Sequence, residues 1–122
     1  MQVWFFGAAS LVNALALCVH VFAGGRQFVR PLLASSLEPE IRWMAYFMWH
    51  VATVAVGATA ILFAIAAAGY VGYGLFATAF AAAIALLALG VAIKSGLGAL
   101  RFPIIILNSV VVALGLAGLL SA

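Results

Sequence analysis

Apolar residues dominate four long stretches of the chain, at about 3–23, 42–68, 75–93 and 103–120. Each stretch has close to, or more than, the roughly 20 apolar residues that an α-helix needs to cross the hydrocarbon core of a bilayer. The charged residues lie between these stretches or at their ends. The pattern therefore predicts an all-α membrane protein with four transmembrane helices, built as a single integral domain over residues 1–122.

The segments between the stretches predict how the helices are connected. Gly24-Gly25 should end the first helix, because paired glycines are poor helix formers and common C-terminal caps. Residues 26–37 carry apolar side chains at helical spacing around Pro31. That pattern predicts a short amphipathic segment on the membrane surface, with an ordered loop packed on the bundle end as the alternative. The other two connections are short, and short connections favour antiparallel neighbours, so we expect an up-down-up-down bundle.

The composition agrees with a membrane environment. The 122-residue chain is 70% hydrophobic and only 6% charged, whereas soluble domains average about 25% charged residues. Such a chain has too little polar surface to cover a water-soluble globule. The lipid bilayer is therefore its expected solvent.

The net charge of +3 comes from basic residues in or beside the first and third connections, and this arrangement does not indicate nucleic-acid binding. They are expected to contact lipid phosphates or the anionic groups of a ligand, and they are Arg26, Arg30, Arg42, Lys94 and Arg101. The middle connection has no basic residue. The positive-inside rule then predicts cytoplasmic first and third connections. We therefore expect an inner (plasma) membrane protein with both termini outside the cytoplasm.

Small and polar residues recur at heptad spacing within the helices. Lipid gives helices no hydrophobic reason to associate, so small residues that permit close approach and polar residues that hydrogen-bond usually form the contact faces. The clearest stripes are Ser10, Asn13, His20 and Gly24 in the first helix, Tyr46, His50, Thr53, Gly57 and Ala60 in the second, and Asn108, Gly115 and Gly118 in the fourth. They are expected to meet in the bundle interior or at a subunit interface.

The polar members of these stripes form one candidate site. In the antiparallel arrangement His20, His50 and Asn108 lie in the cytoplasmic third of the membrane, with Tyr46 and Thr53 at the same level. The structural interpretation is that they hydrogen-bond across helices, at about 0.6 kcal/mol each on average. The functional interpretation is a ligand, metal or b-type haem site on His20 and His50. Supporting polar groups would be Asn108, Tyr46, Thr53 and Asn13, which lies near the midplane.

Three functional classes follow from these residues. A non-enzymatic binding or accessory subunit is the favoured hypothesis, because the chain offers no complete catalytic set. Its expected partners are a second copy of the chain or a larger membrane complex. A haem- or metal-binding electron-transfer protein is the first alternative, although a zinc site normally has three or four protein ligands. A small dimeric transporter or channel is the second, although proton-coupled carriers usually place a carboxylate inside the membrane.

Overall fold

The computed structural model describes residues 1–96 and 103–122. Its first helical rod changes type twice without a break in the chain. The elements are α1 (Gln2–Val19), a π-helix (His20–Val29), α2 (Arg30–Leu33), α3 (Pro39–Ala67), α4 (Val71–Ser95) and α5 (Pro103–Leu120). Within the described residues, four continuous helices are long and apolar enough to cross a membrane: Gln2–Leu33, Pro39–Ala67, Val71–Ser95 and Pro103–Leu120.

The helices form a ring in which each neighbour runs in the opposite direction. Helix α1 packs against α3 and α5, and α4 packs against the same two helices from the other side. The Ser10 hydroxyl in the middle of α1 donates to the carbonyl oxygen of Ala60 in the second half of α3, at 2.9 Å. Phe6 contacts Phe63, with ring centroids 6.2 Å apart. The predicted all-α four-helix bundle is confirmed.

Proline and glycine mark where the helices begin and end. Pro39 occupies the first turn of α3, where its missing N–H is tolerated, and Glu40 there complements the helix dipole. Gly69, at φ 110°, turns the chain from α3 into α4. Gly96, at φ 69°, is the left-handed cap of α4. Both glycines adopt backbone angles that an L side chain rarely does.

The expected end of the first helix at Gly24-Gly25 is wrong. Helical hydrogen bonding continues through both glycines as a π-helix and reaches Leu33 in α2. Gly24 has a packing role, because a Cβ at this position would overlap the indole ring of Trp49. The expected short helical segment before α3 is α2, which contacts the bundle through the buried side chain of Leu32.

The buried core lies at one end of the bundle. Its apolar residues come from the first halves of α1 and α4, the second half of α3 and the middle of α5; they are Phe6, Ala9, Phe63, Ala66, Ala77, Ala81 and Val111. Phe6 is 0% exposed, and its ring lies 2.6 Å from the points where Gly74 and Gly118 would carry a Cβ. One side chain on α1 thus fills the space between all three other helices. We call this the closed end.

The opposite end, which carries Arg26, Arg42 and Lys94, is packed less tightly, and we call it the basic end. Inward-facing residues there, including His20 and Thr53, are only half-buried. Between the charged ends, the described residues give the helices a mostly apolar outer surface; Leu15 is 58% exposed, for example, and Leu86 69%. Such a surface is stable against lipid but not against water. With four candidate spans, the chain is a multi-pass membrane protein.

Candidate functional site

An inner aromatic cluster joins the first helical rod to α3 at the basic end. The indole of Trp49 lies between two rings of the π-helix. It stacks on His20 at a centroid distance of 3.8 Å and an interplanar angle of 12°. On its other side it stacks on Phe28 at 5.1 Å and 18°. Gly24 lies between these two residues in the sequence and leaves room for the ring.

The spacing of these residues in the π-helix brings them to the same face. The hydrogen bonds of a π-helix run i→i+5, so its turns are wider than α-helical turns. His20, Gly24 and Phe28 are spaced by four residues, about one turn each, and all three meet Trp49. A groove with an imidazole at one side, a phenyl ring at the other and no side chain between them therefore faces α3. Trp49 occupies it.

A hydrogen bond fixes the orientation of the His20 ring. Nε2 of His20 lies 3.2 Å from the Thr53 hydroxyl oxygen. The same hydroxyl donates to the Trp49 carbonyl oxygen at 3.0 Å. A threonine hydroxyl has one proton to donate. With that proton on the Trp49 carbonyl oxygen, the hydroxyl can accept from the His20 tautomer that carries its proton on Nε2. The inner aromatic cluster uses His20 as a packing and hydrogen-bonding residue.

An outer aromatic ladder runs along a different face of α3. Trp43 meets Tyr46 edge to face, with centroids 5.7 Å apart. Tyr46 meets His50 in the same manner at 4.6 Å. Trp43 is 55% exposed, and His50 is also exposed. The ladder therefore presents the Trp43 indole and the His50 imidazole at the surface of the basic end.

Some of the predicted site residues belong to these two aromatic clusters, and others hydrogen-bond to the backbone of their own helix. His20 pairs with Trp49 and Thr53, whereas His50 pairs with Tyr46, so the two imidazoles have different partners. The Asn108 side chain donates to the Ile104 carbonyl oxygen of its own helix at 2.9 Å. Asn13, only 4% exposed, donates to the Ala9 carbonyl oxygen at 3.1 Å.

The described residues contain no group of three or more His, Cys, Asp or Glu side chains placed to hold a metal ion. Cys18 is exposed on the outer face of α1. Haem needs two axial ligands at most, and here each histidine contacts its own aromatic partner. A haem or metal ion bound by His20 and His50 stays a prediction.

The basic residues differ in what they contact. Arg42 is half-buried, and its Nη1 donates to the Ser35 carbonyl oxygen at 3.2 Å, which ties the segment before α3 to its first turns. Arg26, Arg30 and Lys94 are exposed. Arg101 lies outside the described residues. Contact of these side chains with lipid phosphate or a ligand stays a prediction.

The sequence patterns did not pair Trp49 or Phe28 with His20, and these two residues complete the inner aromatic cluster. One available signal was the spacing of His20, Gly24 and Phe28, which places a glycine midway between two rings. The other was the adjacency of Trp49 and His50, since consecutive helical residues point about 100° apart and cannot share one face. No protein-family model, curated protein or solved structure matches the chain.

Proposed function

We propose that this protein is a non-enzymatic inner-membrane subunit that binds a partner membrane protein through the outer aromatic ladder of α3. The observation that carries the proposal is the different use of the two histidines. His20 is engaged in packing with Trp49 and Thr53, whereas His50 is exposed beside Tyr46 and Trp43. Surfaces that combine Trp, Tyr and His with a polar tip are typical of binding sites.

The packing of the bundle favours binding over transport through the monomer. Phe6 fills the closed end between α3, α4 and α5. A path for a solute would have to displace this side chain, or run between protomers. The basic end, by contrast, carries the outer aromatic ladder and is less tightly packed. A partner that contacts this end would meet the ladder.

Site-specific photo-crosslinking tests the proposal. We expect a photoreactive phenylalanine analogue at position 43 or 50 to give a crosslinked product of one discrete mass in native membranes. The matched controls are positions 76 and 86 on the outer face of α4, where Phe76 is 75% and Leu86 69% exposed. They are equally accessible to lipid and should give lipid adducts alone. The same protein product from all four positions would contradict a specific interface.

Substitution of the ladder gives the independent readout. His50→Ala with Trp43→Ala should weaken the crosslinked complex at least tenfold on a native gel, because aromatic anchors dominate interface energies. His20→Ala should leave the surface of α3 unchanged. An absorption spectrum of the same purified sample checks the alternative function. A Soret band lost in both His20→Ala and His50→Ala would replace this proposal with electron transfer.

The proposed orientation places the basic end in the cytoplasm. Arg26, Arg30, Arg42 and Lys94 lie at this end, and the Gly69 turn at the closed end has no charged side chain near it. By the positive-inside rule both termini would be outside. A C-terminal alkaline phosphatase fusion, active only outside the cytoplasm, should therefore be active, and a C-terminal green fluorescent protein dark. The reverse result would show that the orientation is inverted.

A further inference from the structure

We propose that Arg26 and Arg30 together bind the phosphate of one anionic phospholipid. Both side chains are exposed, and they are four residues apart on the same helical rod. Residues at this spacing are neighbours on one face, with Cβ atoms about 5–6 Å apart. The site is a pair of guanidinium groups at the basic end, and it is separate from the outer aromatic ladder of α3.

The stacking of Phe28 on Trp49 determines in which direction Arg26 and Arg30 face. Phe28 lies two residues after Arg26 and two before Arg30, on the opposite side of the π-helix. Its ring is held against Trp49 of α3. Because that side faces the bundle, the arginine side faces outward. The membrane boundary runs near this level, since Trp43 and Tyr46 of the ladder lie at the same end.

The electrostatics call for an anion. Like charges at i, i+4 destabilise a helix, and none of the described carboxylates pairs with Arg26 or Arg30. Arg42, by comparison, already donates to the Ser35 carbonyl oxygen. Each arginine guanidinium group presents a planar N–H fork that matches phosphate oxygens in a bidentate manner. One phosphate between them would remove the repulsion.

The same face identifies the anion as part of a lipid. Phe22 lies four residues before Arg26 and is 73% exposed. Cys18, four residues earlier, is exposed as well. The face therefore runs from apolar side chains within the span to two arginines at its boundary. A phospholipid has the same order, from acyl chain to phosphate. Free phosphate would use only the arginines.

Native mass spectrometry of the detergent-purified protein tests the site with phosphatidylglycerol as the probe. We expect Arg26→Gln with Arg30→Gln to weaken phosphatidylglycerol binding about 25-fold, from the roughly fivefold that each basic residue contributes near an anionic lipid. Lys94→Gln is the matched control, because it removes an exposed charge from the same end on α4. It should change the affinity by less than about twofold. Phosphatidylcholine with the same chains should bind weakly to all variants.

Further variants distinguish a specific phosphate site on Arg26 and Arg30 from general electrostatic attraction of anionic lipid to the basic end. Replacing both arginines by lysine keeps the charge and removes the forks, so binding should fall about fivefold. Full binding by that variant, equal loss in Lys94→Gln, or no loss in the glutamine pair would overturn the proposal. Displacement of phosphatidylglycerol by millimolar inorganic phosphate would overturn the lipid assignment. Far-UV circular dichroism of each variant confirms that the helices are intact.

Discussion

Phe6→Ala is expected to lower the free energy of unfolding by roughly 2–3 kcal/mol. In water-soluble cores Phe→Ala costs about 3–5 kcal/mol, of which part is transfer from water and part is the cavity left behind. Lipid tails are as apolar as the core, so here the cavity and lost contacts account for the cost. Phe6 is 0% exposed and packs against Phe63, Gly74 and Gly118. Its removal would leave a void between all four helices.

Phe76→Ala is the matched control for this result. Phe76 is also a span phenylalanine, but it is 75% exposed on the outer face of α4. Its loss exchanges lipid contact for lipid contact, and we expect a change below about 0.5 kcal/mol, as for other surface substitutions. Unfolding of both variants by steric trapping in bicelles measures the difference. Equal effects would show that the closed end is not tightly packed.

The number and approximate extent of the helices could be predicted because lipid allows few alternatives. A spanning segment must satisfy its own backbone hydrogen bonds, so an apolar stretch of sufficient length is a helix. Pro39 and Pro103 mark helix starts in both the sequence and the structure. The exception was Gly24-Gly25. Glycine pairs usually end helices, but here the helix continues through both glycines and Gly24 packs against Trp49.

The rotation of α3 about its axis was harder to predict than its length. The heptad stripe through His50, Thr53 and Gly57 predicted that the His50 side chain faces the bundle interior or a subunit interface. In the structure the face toward α1 includes Trp49, Thr53 and Ala60, and His50 is exposed. The two faces share Thr53, Gly57 and Ala60, and they differ at the basic end, where Trp49 takes the place of His50. Either the Trp49 indole or the His50 imidazole could face α1 at a helix interface. The groove at Gly24 accommodates the Trp49 ring, and it is the feature that distinguishes the two.

The sequence therefore predicted at which end of the bundle the candidate residues lie, but it did not predict which side chains each of them contacts. His20, His50, Tyr46 and Thr53 do lie at the basic end, as their depths along the helices required. Hydrogen bonds that a side chain makes to its own helix, such as that of Asn108 to Ile104, remove residues from a shared site. Composition gives no indication of this, because local side-chain-to-backbone bonds compete with bonds between helices at every buried Ser, Thr and Asn.

Gly24→Ala should destabilise the protein relative to Gly25→Ala by about 1–3 kcal/mol, although both substitutions are chemically identical. A Cβ on Gly24 would overlap the Trp49 ring, whereas a Cβ on Gly25 would meet nothing within 4 Å. Gly25→Ala should gain about 0.5–1 kcal/mol from the better helix propensity of alanine. Gly24→Ala gains the same propensity but expels Trp49, which loses two ring stacks worth about 0.5–1.5 kcal/mol each.

A double-mutant cycle attributes this difference to the indole. In a Trp49→Ala background the groove is empty, so the Gly24→Ala and Gly25→Ala variants should have the same free energy of unfolding. In a Trp4→Phe, Trp43→Phe background, the fluorescence of the remaining Trp49 should change on Gly24→Ala and stay unchanged on Gly25→Ala. A difference between the two alanine variants that persists without Trp49 would mean that the π-helix is held by its own backbone. Its absence would show that one tryptophan on α3 stabilises the wide turn of the first helix, and with it the outward direction of Arg26 and Arg30.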